Sequence, residues 1–355
     1  MANMKNTMKA LIWHKDGSIE LTDRPVPKIL HPKDAIVKVT LSSICTSDLH
    51  IIHNAVPQAV SETILGHEFV GEVVETGADI KNISKGDRVS ANCETFCGEC
   101  FFCKRGYINN CIKGGWKLGC TIDGCQAEYV RVPYADTGLT KIPDNISYKN
   151  ALFVGDILSS GYFGALMCEI QSGDTIAVIG AGPVGLCAMQ CARILGAGKI
   201  IAIDIDESRL NIVKQQNLAD ITLNPNTDNC EKIIKEQTDK RGADGVIEAA
   251  GTKETFKLAW QIARPNAVVG IVAMYEEAQI LPLPDMYGKN LTFKTGGVDA
   301  THCKELLQLI SEGKINTDFL ISEEIPLENI IEAYKKFSQK QEGMLKIAIT
   351  PFLNE

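Results

Sequence analysis

Apolar runs rich in β-branched residues, and segments whose apolar positions recur at helical spacing, divide this chain into two regimes. From about Lys9 to Pro143 the signals are short and strand-like. Ala35-Ile36-Val37-Lys38-Val39 and Val70-Gly71-Glu72-Val73-Val74 are bounded by turns, and Lys85-Gly86-Asp87-Arg88-Val89 reads as a turn entering a further strand. The expectation is a mostly β domain whose loops carry the chemistry. Near Asn150 the pattern changes. Strands are expected at Thr175–Gly180, Lys199–Asp204, near Ile221, at Gly245–Ala249 and at Ala267–Ala273. Helices alternate with them at Pro183–Leu195, Glu207–Gln216, Cys230–Thr238 and Glu254–Ala263. Strict alternation implies a parallel sheet covered by helices on both faces, hence a doubly wound α/β unit. After Leu291 the pattern offers one more strand, helices at Cys303–Ser311 and Leu327–Phe337, and a terminal strand, Lys346–Thr350.

The length, 355 residues, favours two domains over one core. A net charge of −8 leaves no basic excess for phosphates, which argues against a nucleic-acid partner. Met1 to Trp13 shows no secretory signal, so a cytoplasmic location is expected. Thr175 to Gly198 is apolar and long enough to span a bilayer. Its five glycines, Pro183 and Arg193 favour a buried strand, a turn and a helix instead, and no membrane partner is expected.

Eight of the thirteen cysteines fall between Cys45 and Cys125, which points to metal chemistry in the first third. Cys97, Cys100, Cys103 and Cys111 form C-x₂-C-x₂-C-x₇-C. Four thiolates close a tetrahedron around one Zn²⁺ and leave no open position, so this site is read as structural. An iron–sulfur cluster is the rival, disfavoured because no proline follows the last cysteine. Cys93, Cys120 and Cys125 read as spare thiols.

Gly180-Ala181-Gly182-Pro183-Val184-Gly185 fits G-x-G-x-x-G, following an apolar strand and opening a helix. That context suits a pyrophosphate at the helix N-terminus, approached closely over the glycine backbone. Asp204, nineteen residues past Gly185, suits the two ribose hydroxyls and repels a 2′-phosphate, which favours NAD over NADP. Arg209 lies along the adenine, caps a helix face, or pairs with a 2′-phosphate.

Cys45-Thr46-Ser47-Asp48-Leu49-His50 and Gly66-His67-Glu68 offer further metal donors, although a lone Cys and His by themselves suit buried structural roles. Together with the cysteine lobe and the glycine motif, in this order over essentially the whole chain, they resemble the zinc-containing medium-chain dehydrogenase/reductase family. The resemblance implies a GroES-like domain (1–157 and 296–355, lobe at about 93–113) and a Rossmann domain (158–295), with the active site in the cleft between them. It implies that Cys45 and His67 ligate a catalytic zinc, that Ser47 and His50 relay a proton, that Asp48 orients a ligating histidine, and that Glu68 lies near the metal and ligates it transiently.

The third ligand departs from the family's best-known members. Gly155-Asp156-Ile157-Leu158-Ser159-Ser160-Gly161-Tyr162 resembles the bacterial secondary-alcohol dehydrogenases, which assigns the role to Asp156; a helix-capping Asp is the alternative. The implied reaction is hydride transfer between an alcohol, secondary by analogy, and NAD, with zinc as Lewis acid. A small-molecule alcohol or carbonyl substrate and a homo-oligomer, dimer or tetramer, follow from the same resemblance. Polyol, amino-alcohol and cyclic-alcohol substrates remain open, as does a non-catalytic NAD-binding protein. The loops around Ser47, Ile52–Val60, Trp116 and Met274–Tyr275 are expected to line the substrate pocket.

Overall fold

A computed structural model of the chain describes residues 6–339 and 342–352. Residues 1–5 of the Met1–Trp13 stretch and the residue-355 end of the expected β domain lie outside them. The chain divides into two compact units, Met1–Ser159 with Asp299–Glu355 and Ser160–Val298.

The first unit begins with an antiparallel hairpin, β1 (Thr7–Trp13) and β2 (Ile19–Pro25). Then come β3 (Ala35–Ser43), β4 (Phe69–Thr76), β5 (Arg88–Ala91), β6 (Tyr129–Val132) and β7 (Leu139–Lys141). Val37, Val39, Phe69, Val73 and Val89 alternate inward from these strands to make one core.

The second unit is a six-stranded parallel sheet of β8 (Thr175–Ile179), β9 (Lys199–Ile203), β10 (Ile221–Leu223), β11 (Ala243–Glu248), β12 (Ala263–Ile271) and β13 (Thr292–Thr295). Its order is β10-β9-β8-β11-β12-β13, so the winding reverses between β8 and β11. Helices Pro183–Ile194, Glu207–Gln215, Cys230–Gln237 and Lys253–Ile262 supply the crossovers. All five residues of β8 are buried, as expected of a central strand covered on both faces.

The chain then returns to the first unit with helix Cys303–Ser311, β14 (Ile321–Pro326), helix Ile330–Ser338 and β15 (Lys346–Thr350). The resulting sheet runs β14-β15-β3-β4-β5-β7, with β6 added to β3.

Three elements differ from the pattern reading. β12 starts at Ala263, not Ala267, because its first residue already pairs with Ala243 ahead of a register irregularity. The helix expected from Leu327 begins with a 3₁₀ turn, Leu327–Asn329. β14 had no sequence signal, since an edge strand reading Ile-Ser-Glu-Glu-Ile-Pro is half polar and does not alternate cleanly. The apolar stretch Thr175–Gly198 forms β8, a turn and a twelve-residue helix. Among the described residues no helix is long and apolar enough to cross a membrane.

Ile201 on β9 is fully buried in the core of the second unit. Ile201→Ala should cost about 2–5 kcal/mol, read as a lower midpoint for unfolding; an unchanged midpoint would contradict this packing.

Candidate active site and metal centres

β3 ends at Ser43 and the chain turns into helix Thr46–Ile52, with Cys45 as its N-cap. Asp48 Oδ2 accepts the Cys45 backbone N–H at 2.9 Å, which locks that turn. His67 and Glu68 precede β4, whose first residue is Phe69. Asp156 sits on a π-helical turn, Val154–Leu158, closed by a hydrogen bond from Leu158 N–H to the Phe153 carbonyl at 2.8 Å. That turn abuts the end of β5 so closely that a Cβ at Gly155 would lie 1.7 Å from the Ala91 carbonyl oxygen. Only glycine fits there.

These elements bring donor atoms of Cys45, His67, Glu68 and Asp156 within 4.8 Å of one another. His67 Nε2 lies 3.1 Å from Asp156 Oδ2, and its Nδ1 lies 3.4 Å from Asp48 Oδ1. A thiolate, an imidazole and carboxylates are a suitable zinc donor set, and the carboxylate behind the histidine is the usual support. Glu68 Oε1 is buried with no hydrogen-bond partner, and a cation in this group would satisfy it. The residues fit a metal.

The charges are strongly coupled. Burial lowers His67, yet the Asp48 charge and hydrogen bonds with Asp156, Asp48 and Cys45 hold it well above its ordinary value. Burial raises Asp156, but the hydrogen bond and charge of His67 bring it down to about 2. Burial pushes Glu68 up to about 7 against the pull of Lys346. Lys346, itself buried, donates to Glu68 Oε2 at 2.6 Å and to the Ile44 carbonyl at 3.1 Å. Burial opposes its charge, and Cys45 and Glu68 together outweigh burial and raise it. The Ser43 hydroxyl also donates to Glu68.

Ser47 Oγ lies 3.7 Å from Cys45 Sγ, and His50, partly exposed, follows three residues on along the same helix face. Trp116 packs edge-on against His67, ring centroids 5.5 Å apart. Met274 is exposed in the second unit, and Tyr275 packs there edge-on against Phe256 at 6.3 Å.

Four polar side chains at or near this cluster escaped the sequence reading. Lys346 opens an otherwise apolar terminal strand, and that lone charge was the available signal. Gln126 donates to Asp48 Oδ2 at 3.3 Å and accepts from the Tyr334 hydroxyl at 2.8 Å, so a buried chain of polar groups runs from the C-terminal helix to Asp48. Nothing in their local sequence marks either residue. Glu94 is partly buried, and burial together with Asp156 pushes it up to about 7 while His67 pulls it down.

The cysteine lobe is a separate site. Cys100 Sγ lies 3.5 Å from Cys103 Sγ and 4.0 Å from Cys111 Sγ, and Cys111 Sγ lies 3.6 Å from Cys97 Sγ. Zinc–sulfur bonds of about 2.3 Å make a tetrahedron with edges of about 3.8 Å. The sulfurs therefore suit one ion and leave no room for a multi-iron cage. Backbone N–H groups of Cys103 and Ile112 pull Cys100 down to about 6, while burial and the neighbouring Cys100 and Cys111 thiols push Cys103 up. Cys93, Cys120 and Cys125 are buried outside the lobe, and burial raises all three thiols.

In the second unit β8 runs into Gly180 at φ +96° and Gly182 caps the helix Pro183–Ile194, with Val184 in its first turn. A Cβ at Gly185 would lie 1.8 Å from the Gly180 carbonyl oxygen, so the helix and the turn pack backbone to backbone. This turn lies at the carboxyl end of β8, where the strand order reverses and open α/β sheets bind ligands. Asp204 accepts the Ala181 N–H at 2.6 Å and the Asp206 N–H at 2.9 Å. Arg209 lies 3.9 Å from Asp204 and 3.7 Å from Asp206.

Lys346→Met leaves the Glu68 carboxylate buried without its cation and should cost about 3–5 kcal/mol in urea unfolding. Adding Glu68→Gln should recover part of that loss. An unchanged midpoint for the single variant would contradict the pairing.

Residues 31–144 match the family model "Alcohol dehydrogenase GroES-like domain", and residues 183–312 match "Zinc-binding dehydrogenase". An alcohol dehydrogenase of Cupriavidus necator is 35% identical over 98% of this chain and 100% of its own length. Among solved structures, an alcohol dehydrogenase from Thermus sp. ATN1 is 35% identical, with a TM-score of 0.90 over 97% of this chain and 99% of that one. Zinc dependent alcohol dehydrogenase 2 from Streptococcus pneumonia is also 35% identical, with a TM-score of 0.91 over 98% and 99%. With both stretches matched and relatives aligned nearly end to end, the chain belongs to the zinc-dependent medium-chain alcohol dehydrogenase family.

Proposed function

We propose that this chain interconverts a secondary alcohol and its ketone with NAD, using Cys45, His67 and Asp156 as the ligands of a catalytic zinc. The observation that carries the proposal is the mixed thiolate, imidazole and carboxylate cluster beside Ser47. A zinc ion held there would supply Lewis-acid polarisation of the alcohol oxygen, and NAD would supply the hydride acceptor.

The chain's own groups do the rest. Asp48 holds His67 in orientation, itself steadied by Gln126 and Tyr334. Glu68 is a fourth donor, held back by Lys346 and Ser43. Ser47 takes the hydroxyl proton and His50, on the same helix face, passes it towards solvent. Cys97, Cys100, Cys103 and Cys111 hold a second, structural ion with no open position.

The cofactor preference rests on charge. Both oxygens of Asp204 are oriented by backbone N–H groups and keep lone pairs for ribose hydroxyls. Its charge and that of Asp206 oppose a 2′-phosphate, and Arg209 is within ion-pair reach of both. The preference for secondary alcohols rests on the resemblance of the segment bearing Asp156.

The test is cofactor reduction with primary, secondary, polyol and cyclic alcohols, each with NAD and NADP, before and after a zinc chelator. The expected outcome is chelator-sensitive turnover, highest on secondary alcohols with NAD. Asp156→Ala should lower the zinc content from two ions per chain towards one and abolish turnover. Full zinc loading without turnover of any alcohol would favour a non-catalytic NAD-binding protein.

A further inference from the structure

The reaction above leaves one fully buried carboxylate of the second unit unused, that of Glu248. It is the last residue of β11 and pairs in register with Ile179, the last residue of β8, which runs into the glycine turn. The next residue, Ala249, donates its N–H to the Ile179 carbonyl at 2.8 Å. A Cβ at Gly180 would lie 3.0 Å from the Ala249 carbonyl oxygen, so the turn leaving β11 packs against the glycine turn itself. On its other side, a Cβ at Gly251 would lie 2.6 Å from the Met274 carbonyl oxygen, in the loop that leaves β12. Glu248 therefore stands at the carboxyl ends of the strands, one strand across the point where their order reverses.

The backbone N–H groups of Ala250 and Gly251 donate to Glu248 Oε1 at 2.9 Å each. Those bonds hold the turn, but they are dipoles and bring no countercharge. Oε2 is buried with no hydrogen-bond partner. Among the described residues no lysine, arginine or histidine forms an ion pair with this carboxylate. The Tyr275 hydroxyl is buried beside it. Burial first, and the Glu248 carboxylate second, push that phenol well above its ordinary value, so it stays neutral. Burying a carboxylate without a cation is costly, and an amide of the same shape would serve the turn as well. A ligand that brings a positive charge to this end of the sheet recovers that cost.

On the reading above, the pyrophosphate lies at the Gly180 turn and Asp204, past the end of β9, takes the ribose on that side. A dinucleotide spans the reversal point, so its other half falls over the ends of β11 and β12. That half carries the nicotinamide, a pyridinium cation in NAD⁺ and a neutral dihydropyridine once it has accepted hydride. We propose that the Glu248 carboxylate favours the oxidised cofactor, its uncompensated charge stabilising bound NAD⁺ over bound NADH. The inference rests on the NAD-linked reading above and adds to it a residue that sets the oxidation poise of the bound cofactor.

The test is the Kd of NAD⁺, NADH and ADP-ribose, measured by calorimetry on the zinc-loaded wild type, Glu248→Gln, Glu248→Ala and Glu248→Asp. ADP-ribose lacks the nicotinamide and reports the rest of the site; far-UV circular dichroism verifies the fold of each variant. Both neutral variants should lower the affinity for NAD⁺ relative to NADH by at least about threefold, the effect of one unit charge about 10 Å away in a partly hydrated interior. Glu248→Asp keeps the charge and should leave that ratio near the wild-type value. Loosening of the turn, expected most in Glu248→Ala, acts on NAD⁺ and NADH alike and cancels in the ratio. An unchanged ratio in Glu248→Gln and Glu248→Ala, with or without weaker binding of all three ligands, would overturn the role of the charge and leave NAD binding intact. Failure of the wild type to bind either NAD⁺ or NADH would overturn the underlying reading, and this inference with it.

Discussion

A thiol and two carboxylates, gathered with an imidazole within 4.8 Å of one another, repel one another once they take the negative charge that a metal requires, and the interior offers little water to screen them. The first unit is organised around relieving that repulsion. Its positive charge comes from Lys346 on the last strand, 278 positions from Glu68 in sequence, and reaches it at 2.6 Å. β15 must lie beside β3 for this contact to exist, so the chain's return from the second unit completes the site as well as the sheet. Asp48 has a different part: it offers His67 a carboxylate on the side away from Asp156, which fixes the orientation of the ring.

The two candidate metal centres divide the work by their geometry. The lobe has four sulfurs at spacings of a single tetrahedron, so an ion there can only brace a loop. The other cluster mixes donor types and has Ser47 and Trp116 at its border, which suits an exchangeable position. Its ligands sit at the ends of regular elements: a helix cap, a strand entrance and a π-helical turn. The hydrogen-bonded sheet and packed core beneath them hold the donors in place against their mutual repulsion.

Much of this was legible in the chain. Contiguous motifs carry their own geometry, and the cysteine lobe and the glycine turn depend on neighbours a few residues away. The doubly wound unit was readable because its strands and helices alternate with clean apolar patterns. β14 was not, because half of an edge strand faces solvent and its polar residues carry no periodic signal. Asp156 was assigned only through resemblance to a family segment, since an Asp ahead of a helix usually caps it; the structure adds the close contact of Gly155 with Ala91 that presents it to His67.

By itself the sequence determined the alternation of elements, the four-cysteine motif and the glycine-rich turn, because spacing within a few residues sets local backbone geometry; Cys45, His67 and Asp156 were readable only through resemblance to a family. Tertiary structure alone decided which distant groups share one charge balance. Lys346 pairs with Glu68, and Tyr334 reaches Asp48 through Gln126. Those contacts join residues tens to hundreds of positions apart, and electrostatic coupling falls with distance in space, not along the chain.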